Sequence, residues 1–136
     1  AAGQYPGRFS AQIMYSAHLS GLIYAGADLF LMPSIAEPCG LSQMIAMRYG
    51  TLPVVRETGG LKDSVIPYNY VTGEGTGFTF ANVNAHEMLH VLESAVGLYY
   101  DYTKEFKKLQ KNAMTADFSW AASAKAYEEI YQCLTG

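Results

Sequence analysis

Residues 27–60 read ADLFLMPSIAEPCGLSQMIAMRYGTLPVVRETGG, and two short apolar runs within them decide the fold. The first, residues 28–32, is ended by Pro33 and has the apolar density of a strand buried on both faces. The second, TLPVV at residues 51–55, reads the same way. Between them Leu41, Ile45 and Arg48 or Tyr49 stand at helical spacing, and Gly50 supplies the stop. A strand, a helix and a second strand joined this closely predict two parallel strands linked by a crossover helix. The class expected is therefore α/β, a parallel sheet flanked by helices.

Working outward, residues 8–14 have β-compatible positions and predict a further strand, ending at Tyr15. Ser16 is placed to cap a helix running through Leu19, Leu22 and Ile23 to Gly26. Downstream, residues 58–77 are rich in Gly, Tyr, Asn and Thr, which predicts a long surface loop or lid. A short strand is expected at residues 77–80. Asn84-Ala85-His86-Glu87 has the form of a capping box, opening a helix with Met88, Leu92, Val96 and Tyr99 on one face. Two more helices should follow. Thr103 would cap one with Phe106, Leu109 and Ala113 inward, and Ser119 another with Trp120, Ala124, Tyr127, Tyr131 and Leu134 inward. The intervening KEFKKLQK run reads as a solvated face.

In an open parallel sheet, ligands bind beyond the carboxyl ends of the strands, where the segments after Met32 and Val55 lie. The first carries Glu37-Pro38-Cys39-Gly40-Leu41-Ser42, an acid followed by a glycine turn that opens a helix. Unpaired amides from about Cys39 to Ser42 would form a phosphate site, with Gly40 allowing close backbone approach. Glu37 is unsuited to an anion and would accept hydrogen bonds from sugar hydroxyls attached to it, unless it merely caps its own turn. The second segment, Arg56-Glu57-Thr58-Gly59-Gly60, is a polar turn with a glycine pair, either a tight positive-φ turn or a second wall of the same pocket. Tyr15 could stack on a flat base or simply be a packed aromatic.

Bulk properties narrow the classes. The chain has 136 residues, enough for one domain, or part of one, with a real core. Half the residues are apolar, 15% are charged and the formal net charge is -3, which gives no electrostatic footprint for nucleic acid or an anionic membrane. Cys39 and Cys133 fit neither a disulfide framework nor a metal-ligand spacing. His86 and His90 are four residues apart but lack the rest of a zinc motif, so no metal and no cofactor are expected. The amino terminus lacks the build of a signal peptide, and a cytoplasmic location is expected.

The run from Ala27 to Asn69, with GTGFTF, the NAHEML helix and DFSWAASAKAYEEIY, closely resembles bacterial glycogen synthases and plant starch synthases, glycosyltransferase family 5. The likeness begins near YPGR and covers practically the whole chain. It implies that residues 1–136 are the carboxyl-terminal part of a Rossmann-like, nucleotide-sugar-binding domain of the GT-B type, a fragment without the other domain. The implied reaction moves glucose from ADP-glucose to the non-reducing end of an α-1,4-glucan with retention, without a metal. Residue by residue, Tyr15 falls where the family stacks a ring on adenine, and Glu37 on the acid that contacts donor glucose. Cys39, Gly40, Leu41 and Ser42 match the turn that approaches phosphates and ribose, and Thr58 and Gly59 match the second turn. The chain departs from the family at Ile35-Ala36, where an aromatic and often a basic residue are common. The Arg and Lys that neutralise the departing diphosphate are implied upstream of Ala1, so the chain alone is expected to be inactive. The alternatives are a UDP-glucose-dependent transferase or a non-catalytic nucleotide-binding, sugar-binding or assembly module, and self-association is left open.

Overall fold

The computed structural model describes residues 3–135. Helix α1 (Ala17–Gly26) precedes strand β1 (Leu29–Met32), helix α2 (Ser42–Arg48), strand β2 (Leu52–Arg56), helix α3 (Gly59–Ser64) and strand β3 (Phe78–Phe80). Helices α4 (Ala85–Asp101), α5 (Thr103–Thr115) and α6 (Trp120–Thr135) complete the chain. The sheet has the order β1-β2-β3 and is parallel throughout, with Leu29 opposite Leu52 and Val54 opposite Phe78. The α/β class and the parallel strand–helix–strand unit are as the sequence implies.

Burial explains this order. Strand β2 is central, and Leu52, Val54 and Val55 are fully buried, so its continuous apolar run has both faces covered. Helices α2, α4 and α5 supply the cover through Met47, Ala95, Leu98, Phe106, Leu109 and Ala113. Helix α1 starts as expected, with the Ser16 hydroxyl accepting from the Leu19 N–H at 3.2 Å. Its carboxyl end is tied to the sheet by the Thr51 hydroxyl, which donates to the carbonyls of Tyr24 and Ala27 at 2.6 and 2.7 Å. Gly50 takes φ 83° where α2 must turn sharply into β2. Gln110 of α5 donates to its carbonyl at 2.7 Å, joining α5 to that turn.

Several expectations need correction. Residues 8–14 form no strand: they lie exposed, and the bonds nearby are the turn contacts from the Arg8 and Phe9 N–H groups to the Tyr5 carbonyl. A strand needs a partner to satisfy its backbone, and none pairs here among the described residues. Strand β1 is not buried on both faces but sits at the sheet edge, with Leu31 39% exposed. The long loop begins instead as α3, because Leu61 is drawn into the core. Its remainder is ordered by a bridge between Pro67 and Gly77 and by Asn69, whose side chain accepts from the amides of Val71 and Thr72.

Differences also occur at the helix ends. Asn84 caps α4 through the His86 and Glu87 amides, but Glu87 does not complete a reciprocal box. The Asn84 N–H is already bonded to the Asn82 carbonyl, so the Glu87 carboxylate accepts from the Ala81 and Asn82 amides at 2.8 and 3.1 Å. On α4 the inward face is centred on Ala95 and Leu98, and Val96 is turned outward. Thr103 is the first residue of α5 rather than its cap, although Phe106, Leu109 and Ala113 are buried as expected. Ser119 caps α6 by accepting from the Ala122 N–H at 3.2 Å. The face expected to be inward on α6 is exposed: Trp120 by 91%, Tyr127 by 60%, Tyr131 by 62% and Leu134 by 77%, with Ala124 exposed too. Its apolar spacing gives an amphipathic helix, but spacing alone does not supply a partner to cover it.

Candidate functional site

The loop from Pro33 to Leu41 leaves the carboxyl end of β1, and the turn of Thr58, Gly59 and Gly60 leaves that of β2. The two are pressed together. A Cβ added to Gly59 would lie 2.1 Å from the Glu37 carbonyl oxygen, and one added to Gly60 would lie 2.1 Å from that of Cys39. Only glycine permits this approach, and Gly59 also adopts φ 44°. The Gly60 N–H is shared between the carbonyls of Glu37 and Pro38, both at 3.2 Å. Thus Glu37, Cys39 and Gly40 are brought together with Thr58 and Gly59.

Donors from the protein side take up most of the first loop's carbonyls. Arg56 donates from Nε to the Ser34 carbonyl at 2.8 Å and from its terminal nitrogen to that of Ile35. Gly60 holds Glu37 and Pro38, and Gln43 Nε2 donates to the carbonyls of Cys39 and Gly40 at 3.2 and 3.0 Å. All described peptide bonds are trans, and a trans peptide directs its N–H opposite to its C=O. Anchoring the Pro38, Cys39 and Gly40 carbonyls therefore turns the N–H groups of Cys39, Gly40 and Leu41 the other way. None of these three amides has an acceptor among the described residues, and Leu41, at the start of α2, makes no side-chain cap. Successive amides that face the same way are the kind of group that can bind an anion. Helix α2 itself is only seven residues long, so the turn rather than a long helix dipole carries this character.

Glu37 is part-buried, and its carboxylate has no hydrogen-bond or ion-pair partner among the described residues, so it does not cap its own turn. The Cys39 side chain is exposed. The Leu41 side chain faces away into a cavity of about 640 Å³ shared with Met44, Ile45 and Phe118, so only its backbone suits the anion site. Ser42 opens α2 without a side-chain bond, and Thr58 stands at the start of α3, likewise without a cap bond. Tyr15 is 92% exposed and makes no ring contact among the described residues, which removes the packed-aromatic reading. Among the described residues no hydrogen bond or ring contact joins it to the two turns.

Sequence reasoning missed Gln43 and Ser64, and placed Arg56 in the second turn without its bonds to the first. Gln43 is fully buried between the two turns, and its Nε2 also donates to the Ser64 hydroxyl at 3.0 Å. That hydroxyl donates in turn to the Gly60 carbonyl at 2.5 Å. Gln43 Oε1 has no partner among the described residues, at a usual cost of about 1–3 kcal/mol. A glutamine aligned with buried Ala46 and Met47 on one helix face was the available signal. Among the described residues there is no group of three or more His, Cys, Asp or Glu that could hold a metal, and no helix long and apolar enough to cross a membrane.

The chain as a whole is similar to known proteins. The chain is 56% identical over 131 residues to a glycogen synthase of Lachnospira eligens, covering 96% of this chain and 27% of the relative. It is 53% identical over 130 residues to one of Desulfitobacterium hafniense, covering 96% and 28%. It therefore spans little more than a quarter of the length of these curated relatives. Among solved structures, the catalytic domain of starch synthase IV from Arabidopsis thaliana, bound to ADP and acarbose, superposes with a TM-score of 0.78 at 45% identity. That match covers 88% of this chain and 25% of the other. A sucrose-phosphate synthase from Thermosynechococcus elongatus gives a TM-score of 0.58 at 26% identity, over 83% and 27% of the two chains. The model of one family, glycosyl transferases group 1, matches residues 14–115, which contain the sheet and both turns; the chain belongs to that family.

Proposed function

We propose that this chain forms the nucleotide side of the active site of a retaining glucosyltransferase that moves glucose from ADP-glucose to the non-reducing end of an α-1,4-glucan. On this reading residues 1–136 are the later part of a GT-B nucleotide-sugar-binding domain. The observation that carries it is the polarity of the first loop, whose carbonyls are anchored inward while the amides of Cys39, Gly40 and Leu41 are left for an acceptor. Those amides would receive a phosphate of ADP, and the unpartnered Glu37 carboxylate beside them would receive hydroxyls of the donor glucose. As the glycosidic bond breaks, charge accumulates on the diphosphate, and fixed N–H dipoles stabilise it without having to reorganise. Thr58 and Gly59 would wall the pocket, Ser42 would assist at the phosphates or ribose, and Tyr15 would stack on adenine.

The ADP found in the starch synthase relative supports the choice of nucleotide. Because the chain spans about a quarter of its relatives' length, the acceptor side and further cationic groups belong to other parts of such a protein, and the chain alone should bind without turning over. Calorimetric titration with ADP, UDP and maltose tests this. ADP binding in preference to UDP is expected. Tighter UDP binding would move the chain to UDP-glucose chemistry, and no binding of either nucleotide would leave an assembly module.

A further inference from the structure

Resting on that reading, we propose that Gln43 is a positioning residue for donor binding: its side-chain amide holds the Cys39 and Gly40 carbonyls inward and so aims the Gly40 and Leu41 N–H groups at the phosphate. The two carbonyls accept from a single nitrogen, at 3.2 and 3.0 Å. Since each belongs to a planar trans peptide, its anchoring fixes the direction of the following amide. Gln43 therefore acts on the ligand site without touching the ligand.

The same nitrogen reaches the second turn, so its two hydrogens are shared among three acceptors. Its bond to the Ser64 hydroxyl at 3.0 Å continues to the Gly60 carbonyl, and the Gly60 N–H returns to the first loop at Glu37 and Pro38. These contacts close a ring that sets the spacing of both turns around one buried side chain. Gly40 belongs to this device as well, for a Cβ there would lie 2.6 Å from Gln43 Oε1, and its φ is 75°.

A space-filling role does not account for the residue. Gln43 is fully buried yet its Oε1 is unpartnered among the described residues, so leucine, of similar volume, would fill the space without a polar atom to satisfy. What leucine lacks is the donor. A role confined to packing would thus be met by leucine, and a positioning role would not.

The test measures ADP affinity by calorimetry and Tm in the wild-type chain, Gln43→Leu and Gln43→Glu, from acid to neutral pH. Gln43→Leu strips the donor from three acceptors, so its Tm should fall, while its Kd for ADP rises by roughly tenfold, the scale of one productive hydrogen bond to a charged ligand. In Gln43→Glu the protonated carboxyl still donates to a carbonyl, whereas the ionised form repels both. Burial among carbonyls raises the pKa of such a carboxyl, so its affinity relative to wild type should be highest in acid and fall as pH rises. Wild-type affinity within twofold in both variants, or a Gln43→Glu ratio that does not vary with pH, overturns the proposal even if Gln43→Leu folds poorly. If the wild-type chain itself fails to bind ADP, the reading of the site fails and this inference falls with it.

Discussion

Gly60 shows how a single missing side chain sets the geometry of the site. The Cβ of alanine there would meet the Cys39 backbone at 2.1 Å, and backbone cannot rotate out of the way as a flexible side chain does. Gly60→Ala should therefore push the two turns apart, lowering unfolding free energy by about 1–3 kcal/mol, as overpacking does. Denaturant unfolding together with an ADP titration would check this, and unchanged values would contradict it. Glu37→Gln should behave oppositely. Its carboxylate has no hydrogen-bond or ion-pair partner among the described residues, so stability should stay within about 0.5 kcal/mol of wild type. Turnover by the complete transferase should fall by about a hundredfold or more if the charge acts on the donor in the transition state. Retained turnover in a glucan-extension assay would remove Glu37 from that role. At this scale the sequence reading located the two turns by residue type, but the parts of Gln43, Ser64 and Arg56 rest on contacts between segments some twenty residues apart, which spacing along the chain does not display. The glycine pair was noticed for its freedom in φ, whereas its larger role is close approach.

Among the elements, those with two independent local signals were legible. Strands β1 and β2 and helix α2 combine an apolar run or helical period with a proline or glycine boundary, and they appear in the expected order. Expectations resting on apolar spacing alone fared worse: residues 8–14 make no strand, and the face of α6 read as inward is exposed, although the helix and its Ser119 cap form as expected. Helix α4 offers two measurements. Asn84→Ala removes the acceptor for the His86 and Glu87 amides and should cost about 1 kcal/mol of stability. The second concerns Glu87, whose pKa is lowered chiefly by the Ala81 N–H and also by Asn82. A depressed carboxylate pKa contributes stability that is complete above the ordinary glutamate value and is lost as pH falls through the lower folded value. The stability gap between wild type and Glu87→Gln should accordingly narrow toward acid pH in Tm measurements, and a gap that widens there would contradict the assignment.

For the molecule as a whole, the core lies between β2 and helices α2, α4 and α5, while apolar surface is left open at both ends of the sequence. Ile13, Met14 and Tyr15 on one side, and Trp120, Tyr127 and Leu134 on the other, are all at least 60% exposed. Strand β1 adds an unpaired edge to this among the described strands. Exposed apolar patches and open edges favour association, so sedimentation of the chain alone should show mass rising with concentration. Replacing Trp120 and Tyr127 with lysine should reduce it, and a monomer at all concentrations would show that these surfaces do not self-associate. The proposed donor site is a separate matter, because the turn of Cys39, Gly40 and Leu41 draws its support from within residues 33–64. A crystal structure of the chain with ADP is the most direct test of that turn. If its amides face the donor, a phosphate oxygen should lie about 2.7–3.2 Å from the nitrogens of at least two of Cys39, Gly40 and Leu41, with the Gln43 bonds intact. ADP bound elsewhere, or these amides turned inward beneath it, would contradict the proposed site.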